Sequence, residues 1–330
     1  MIFFQESDKS SDSELCIMFH AERGVSLNKI AVVIPCHNEE ATIEKVVSDF
    51  SVALPGAEIH VFDNVSTDRT TEFAKRAGAI SHFVPSKGKG NVVRTMFRVV
   101  QADCYILVDG DDTYSAQHVA DLAAPVLEQR AEMVVGVRLS QYEANSFRSL
   151  HFFGNRLIAW TINRLFGARL TDALSGYRAF SRRFVKTMPV LSRGFEIETE
   201  MTLHALEHGF TIQELPVPYG ARPEGSESKL HTFKDGYRVL TTILRIFKDH
   251  RPVLFFGSIG AMLLMFSFGV GVLTLEEFAR LQRVEGVARS VLGVAVGIAG
   301  LLSIATGLML DTVNRRIGAL YVLIADQVIT

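Results

Sequence analysis

The sequence predicts an α/β domain on a mostly parallel sheet, followed by a C-terminal two-helix transmembrane hairpin. Two observations carry the domain. Short apolar runs alternate with segments of helical spacing between residues 30 and 137, and polar clusters follow several of those runs. A third carries the hairpin: residues 253–275 and 291–310, 23 and 20 in number, hold no charged side chain. Each is long enough to cross ~30 Å of hydrocarbon at ~1.5 Å per residue.

The elements follow in order. Residues 30–34 (IAVVI) read as a buried strand ended by Pro35. Residues 39–51 carry Ile43, Val46, Val47 and Phe50 at helical spacing. A Pro55-Gly56 turn leads to a strand over 58–62, a helix over 70–77 and a strand over 79–84. Residues 90–101 set Val93, Phe97 and Val100 on one helical face. A strand over 105–108, a helix over 116–129 and a strand over 133–137 complete the series. Repeated units of this kind call for helices on both faces of the sheet, and ligands of such sheets sit beyond the carboxyl ends of the strands.

Two further segments are amphipathic. Residues 147–166 mix Leu150, Phe153, Leu157, Trp160 and Ile162 with Arg148, His151, Arg156 and Arg164. Packing on the domain and lying in a membrane interface are both open to it. Residues 237–247 run directly into the first span, which favours the interface there. The chain thus divides into an N-terminal extension (1–28), a domain (29–232), a juxtamembrane helix (233–252), the two spans and a tail (311–330). The last 14 residues, 317–330, are too short to span. Lying in the interface, pairing with a second copy in a homo-oligomer and being a truncated end are all open to them.

Lys and Arg set the expected orientation. Lys234, Arg238, Arg245, Lys248, Arg251, Arg315 and Arg316 flank the pair of spans, against Arg280, Arg283 and Arg289 between them. Positive residues stay inside, so the domain is expected in the cytoplasm and the connection outside. No signal peptide is read in residues 1–29. A net charge of −2 gives nucleic acid no reason to bind. Cys16, Cys36 and Cys104 are odd in number and widely spaced, against a disulfide framework or a cysteine zinc site. The mean hydropathy of +0.21 is high for a soluble chain, and the two spans account for the excess.

The chemistry lies in four clusters: Pro35-Cys36-His37-Asn38-Glu39-Glu40, Asp63 to Thr70 (DNVSTDRT), Ser86 to Asn91 (SKGKGN) and Asp109 to Thr113 (DGDDT). There is no Walker A motif and no complete G-x-G-x-x-G, so ATPase and dinucleotide readings lack support. Asp109-Gly110-Asp111 is the sharpest signal. Two carboxylates separated by a small residue at a strand end suit a hard cation, Mg²⁺ or Mn²⁺, which accepts phosphate oxygens in its other positions. Such an ion suits a diphosphate leaving group.

These blocks resemble family 2 glycosyltransferases, and most of all the polyprenyl-phosphate sugar synthases of the dolichyl-phosphate mannose synthase group. VVIPCHNEE is similar to the family's V-[IV]-P-x-[YH]-N-E, and Asp63 to Thr70 to its D-D-x-S-x-D-x-T with Asn64 for the second acid. KGKG and DGDDTY match the next two blocks. Thr171 to Arg178 (TDALSGYR) resembles [ST]-D-x-x-S-G-[FY]-R, and Arg222 to Leu230 (RPEGSESKL) resembles R-x-x-G-x-S-K-L. The resemblance spans about residues 29–315. It implies a GT-A type nucleotide-sugar-binding domain, with Pro35, His37, Glu39 and Asp63 at the nucleoside and Lys89 near the nucleotide. Asp109 and Asp111 would hold the metal and donor diphosphate, and Gly110 would allow backbone approach. Arg138, Arg222 and Lys229 would gather phosphate charge, joined by Arg148 and Arg178; for Arg138 and Arg178 structural ion pairing stays open. His37 stands where the family often has Tyr and Thr113 where it often has Gln, which leaves the donor open. Asp112 is an acid that the commoner D-x-D-L pattern lacks.

The resemblance implies transfer from a UDP- or GDP-sugar to a polyprenyl phosphate at the membrane, with inversion. Two other functions stay open: a transferase using another membrane acceptor, and a non-catalytic membrane-anchored nucleotide-sugar binder. The absence of Q-x-x-R-W is against a processive polymerase. Glu196, Glu198 and Glu200 in GFEIETEM alternate like strand positions or a helix start. A catalytic role is open to them, but the pattern favours a solvated or capping face.

Overall fold

A computed structural model describes residues 28–139, 146–194, 196–220 and 232–329, of which 139, 146–153, 232–239 and 320–329 by backbone alone. Its first half follows the predicted alternation: β1 (Ile30–Cys36), α1 (Ile43–Ala53), β2 (Glu58–Asp63), α2 (Thr70–Arg76), β3 (Ile80–Phe83), α3 (Lys89–Val99) and β4 (Cys104–Leu107). A 3₁₀ turn (Ala116–His118) precedes α4 (Val119–Leu127), then come β5 (Met133–Leu139) and α5 (Ser146–Phe166). The rest comprises β6 (Arg178–Ser181), α6 (Arg182–Thr187), α7 (Ile197–Glu207), β7 (Ile212–Pro218), α8 (Thr232–His250), α9 (Pro252–Leu281) and α10 (Val287–Ile329).

The seven strands form one sheet in the order β3-β2-β1-β4-β6-β5-β7. All neighbouring pairs are parallel except those made by β6, which runs against β4 and β5. The polar clusters after β1, β2 and β4 therefore share one edge. β1 continues through Pro35 to Cys36. Its pairing with β4 ends at Val33 opposite Leu107, so the missing N–H of Pro35 interrupts nothing on that side.

Alternation along the strands feeds two apolar layers. Val32, Ile34, Val61 and Ile106 face α1 and α4 through Val46, Val47, Phe50, Val119 and Leu122. Ala31, Val33, Tyr105 and Leu107 face α3, α6 and α7 through Val93, Met96, Phe184 and Met201. A third cluster settles one open reading. Ile158, Ala159 and Ile162 of α5 are buried with Leu203 of α7 and Ile246 of α8, so α5 packs on the domain by that face. Trp160 stays exposed, as do Leu240 and Leu244 of α8.

The two C-terminal helices are long and apolar enough to cross a membrane, and most of their residues are exposed. Glycines let them meet closely. A Cβ on Gly260 would lie 2.7 Å from the Gly300 carbonyl oxygen, and one on Gly293 2.6 Å from Val270. Ser303 Oγ donates to the Phe256 carbonyl at 2.8 Å. The helices outrun the expected spans: α9 reaches Leu281 and α10 runs unbroken through the expected tail to Ile329. The connection shrinks from residues 276–290 to 282–286, where Gln282 closes α9 in the left-handed region.

Candidate active site

The site is a set of loops stitched together by their own side chains. Glu39 N–H donates to Thr70 Oγ1 and Glu40 N–H to Asp68, while Thr67 N–H donates to Asn38 Oδ1. Asn64 shows why an amide replaces an acid there. Its Nδ2 donates to the carbonyls of Val84 (3.0 Å) and Ser86 (2.8 Å), and its Oδ1 accepts from Gly88 N–H (2.7 Å). A carboxylate could make only the last of these bonds. Asn38, Val65 and Asp112 all adopt positive φ in the loops after β1, β2 and β4, which for β-branched Val65 is costly. Backbone strain thus gathers at this edge.

Asp63 is buried at the end of β2, where it accepts from Ser66 N–H at 3.0 Å. Pro35 lies in β1 opposite Phe62, next to Asp63 in the sheet register, and His37 and Glu39 lie on the loop that follows. After β4, the chain turns through Gly110, whose carbonyl accepts from Thr42 Oγ1 at 2.6 Å. A Cβ on Gly110 would stand 2.7 Å from Cys36 Sγ, so any other residue there would have to displace that side chain. Burial, and then the charges of Glu39, Asp63, Asp109 and Asp111, push the Cys36 thiol well above its ordinary pKa. All four carboxylates thus act on one point.

Asp111 is buried and accepts from the Thr113 hydroxyl at 2.6 Å. Asp112 turns away: its carboxylate meets Lys45 at 2.8 Å. Asp109 accepts from Lys89 at 2.6 Å, and Lys89 also meets Glu198 at 2.6 Å. Burial opposes the charge of Lys89, but Asp109 and Glu198 outweigh it and hold the ammonium above its ordinary pKa. Gly176 leaves the room for this pair, since a Cβ there would lie 2.4 Å from Asp109 Oδ2 and 3.2 Å from Lys89 Nζ. The glycines around Lys89 are also required: a Cβ on Gly88 or Gly90 would strike the carbonyls of Arg193 or Ser192.

Arg138, near the end of β5, is held bidentately by Asp172 at 2.8 and 3.0 Å. Asn155 and Leu174 N–H add bonds to the same carboxylate. Burial opposes the charge of Asp172, but Arg138 and these donors outweigh it and keep its pKa low. The guanidinium also lies 5.6 Å from the Tyr219 ring, which Asp111 and Asp109 influence too. Tyr219 and Tyr114 form a bridge that closes the loop after β4 against β7.

Two expectations change. Arg178 was open to a phosphate role, but its side chain is wholly buried. It donates to the carbonyls of Ser175 and Ala173 and to Thr202 Oγ1, at 2.8 to 2.9 Å. It ties the TDALSGYR segment to α7 and has no face for an anion. Glu198 was expected on a solvated or capping face, yet it is buried against Lys89. Glu200 accepts from the N–H groups of Leu191 and Ser192 and so ties the preceding loop to α7 rather than capping the helix. Sequence reasoning also gave no role to Asp172, Gly176 or Tyr219. For Asp172 and Gly176 the signal was present in the motif block; for Tyr219 there was none. Arg222 and Lys229 lie outside the described residues, and Arg148 is described by backbone alone.

A sheet of this order, with acidic loops gathered at the carboxyl ends of its parallel strands, defines a GT-A fold. Comparison agrees: glucosyl-3-phosphoglycerate synthase from Mycobacterium tuberculosis, solved with Mn²⁺, UDP and glucosyl-3-phosphoglycerate, superposes with a TM-score of 0.56 over 75% of this chain and 86% of that one, at 22% identity. The same enzyme has been solved with Mg²⁺ and UDP. Residues 31–188 match glycosyl transferase family 2. Glycosyltransferase AglJ of Haloferax volcanii is 32% identical over 274 residues, 83% of this chain and 88% of that protein. A dolichyl-phosphate hexose transferase of the same organism is 26% identical, over 68% of this chain and 97% of its own. The chain belongs to glycosyl transferase family 2.

Proposed function

We propose that this glycosyltransferase moves a sugar from a UDP- or GDP-sugar to a polyprenyl phosphate in the membrane. The observation that carries the reading is the Lys89–Asp109–Asp111 group at the end of β4, on a domain whose last helix leads into two apolar helices. The likeness to a dolichyl-phosphate hexose transferase supports the acceptor.

The donor set fits a divalent cation. Among the described residues no cluster of three or more acidic, His or Cys ligands forms a cage. A pair of carboxylates is what Mg²⁺ and Mn²⁺ use when phosphate oxygens and waters complete the shell. Asp109 and Asp111 would hold the ion, whose charge offsets that developing on the leaving diphosphate. Pro35, His37, Glu39 and Asp63 receive the nucleoside, and Gly110 lets the backbone come close to the donor. Arg138, Arg148, Arg222 and Lys229 supply positive charge to the phosphates.

The acceptor needs no strong base, because the second pKa of a phosphomonoester is ~6. Its oxygen attacks the anomeric carbon as the bond to the diphosphate breaks. The nucleoside diphosphate leaves with the electron pair, and the centre inverts. The protein's work is to hold two polyanions together, which Lys89 and the arginines do by charge-assisted hydrogen bonds. The hairpin keeps the domain at the membrane, on the cytoplasmic side.

The test mixes membranes containing the protein, Mg²⁺ or Mn²⁺, a short polyprenyl phosphate and radiolabelled nucleotide sugars. Labelled lipid from one donor, lost in Asp111→Asn, is the expected result. Label in another lipid points to a different acceptor. No labelled product from any donor, with nucleotide binding unchanged in Asp111→Asn, leaves a binder and ends the enzymatic reading.

A further inference from the structure

Lys89 is buried between two carboxylates, and the reaction as proposed uses one of them. Asp109 Oδ1 and Glu198 Oε1 each lie 2.6 Å from its ammonium. Glu198 sits in the first turn of α7 and is 4% exposed. Behind it, Thr202 Oγ1 donates to the Glu198 carbonyl and accepts from Arg178, so that turn is fixed. Burying such a group is costly, and apolar side chains would fill the same volume at less cost to the fold.

We infer that Glu198 is a positioning residue that shares Lys89 with Asp109, and so sets the negative charge that Asp109 and Asp111 offer a divalent cation. The inference rests on the metal reading above. With Glu198 ionised, the charges of Lys89, Asp109, Asp111 and Glu198 sum to −2; without it they sum to −1, and Lys89 falls wholly to Asp109. One unit of charge a few ångströms from a divalent ion, in a site of effective dielectric constant ~20, is worth on the order of tenfold or more in affinity.

The test measures binding of Mn²⁺ alone to the full-length protein in detergent, by the free-ion EPR signal. Glu198→Gln keeps the size and an acceptor oxygen, and is expected to weaken Mn²⁺ binding by about tenfold or more. Lys89→Gln combined with Glu198→Gln restores the charge to −2, and is expected to return affinity to within about threefold of wild type. A purely structural role for Glu198 makes the double variant at least as damaged as the single. The inference is overturned if Glu198→Gln binds Mn²⁺ like wild type, or if the double variant is as weak as the single. If Glu198→Gln does not fold, the double variant decides alone: wild-type affinity supports the inference and tenfold loss overturns it. If the wild type itself binds no Mn²⁺ the metal reading fails first, an outcome distinct from equal binding by all three proteins.

Discussion

Gly176 shows how little space surrounds Asp109 and Lys89. In Gly176→Ala the new Cβ would meet Asp109 Oδ2 at 2.4 Å, and what yields is the short carboxylate held by Lys89. The fold has no reason to fail, so the melting temperature should stay within a few degrees. A displacement of about 1 Å at a reacting group costs on the order of a hundredfold, and kcat/KM of the transferase should fall by about that much. Unchanged kcat/KM would show that Asp109 has no fixed place in the reaction. A second residue-scale effect concerns pH. Burial, and then His208, push His204 down to about 3, so the folded state keeps its imidazole neutral while the unfolded chain takes up a proton near pH 6.5. The unfolded state binds more protons between those values, so stability falls as pH drops below about 6.5, by about 2 kcal/mol at pH 5. His60 and His82 are lowered too, first by burial, and act in the same sense. The melting temperature should fall accordingly from pH 7 to 5, and His204→Gln should reduce that fall. Much of this layer was hidden in the sequence. Three alternating glutamates at a helix start look solvent-facing, and Lys89, which makes one of them buried, lies more than a hundred positions earlier. Arg178 reads as a site arginine because its motif contains one, while its burial depends on β6 pairing with β4 and β5.

At the scale of elements, the strands and helices up to β5 were legible because each is an apolar run of the right period between turn residues. β6 was not: it has four residues, begins with an arginine, and is a strand only because β4 and β5 flank it. The close packing of the two C-terminal helices was legible in their glycines and serines, and its register makes a covalent test available. A Cβ on Gly297 would lie 3.4 Å from that of Ser267, close to the separation in a disulfide. Ser267→Cys with Gly297→Cys should therefore crosslink under mild oxidation, seen as a gel shift reversed by reductant. With Cys16 replaced, the remaining Cys36 and Cys104 are buried and should not compete. Moving the second cysteine to Val296 turns it about 100° around the helix and should abolish the crosslink. Equal crosslinking at both positions would mean that the helices do not keep this register.

At the scale of the molecule, the two apolar helices are long enough to cross a membrane, and their arrangement would then set the side on which the domain lies. α9 follows Arg251 directly after α8, and α10 returns antiparallel until Asn314 Nδ2 donates to the Asp249 carbonyl at 2.7 Å. Residues near 250 and near 314 therefore lie on the same side as the domain, and the connection at 282–286 lies at the far end. Seven Lys and Arg flank the near end and three the far end, an asymmetry from which the near end is expected in the cytoplasm. The far-end arginines are already engaged: Arg280 pairs with Glu276, Arg283 with Glu285 and Arg289 with Glu277. Two single-cysteine variants, made after replacing the native cysteines, test the arrangement with a membrane-impermeant maleimide. Glu285→Cys should react in intact cells. Asp311→Cys should react only once the membrane is opened, because it shares the side of the catalytic domain. Labelling of Asp311→Cys in intact cells, with Glu285→Cys protected, would put the donor site outside, where a cytoplasmic nucleotide sugar could not reach it.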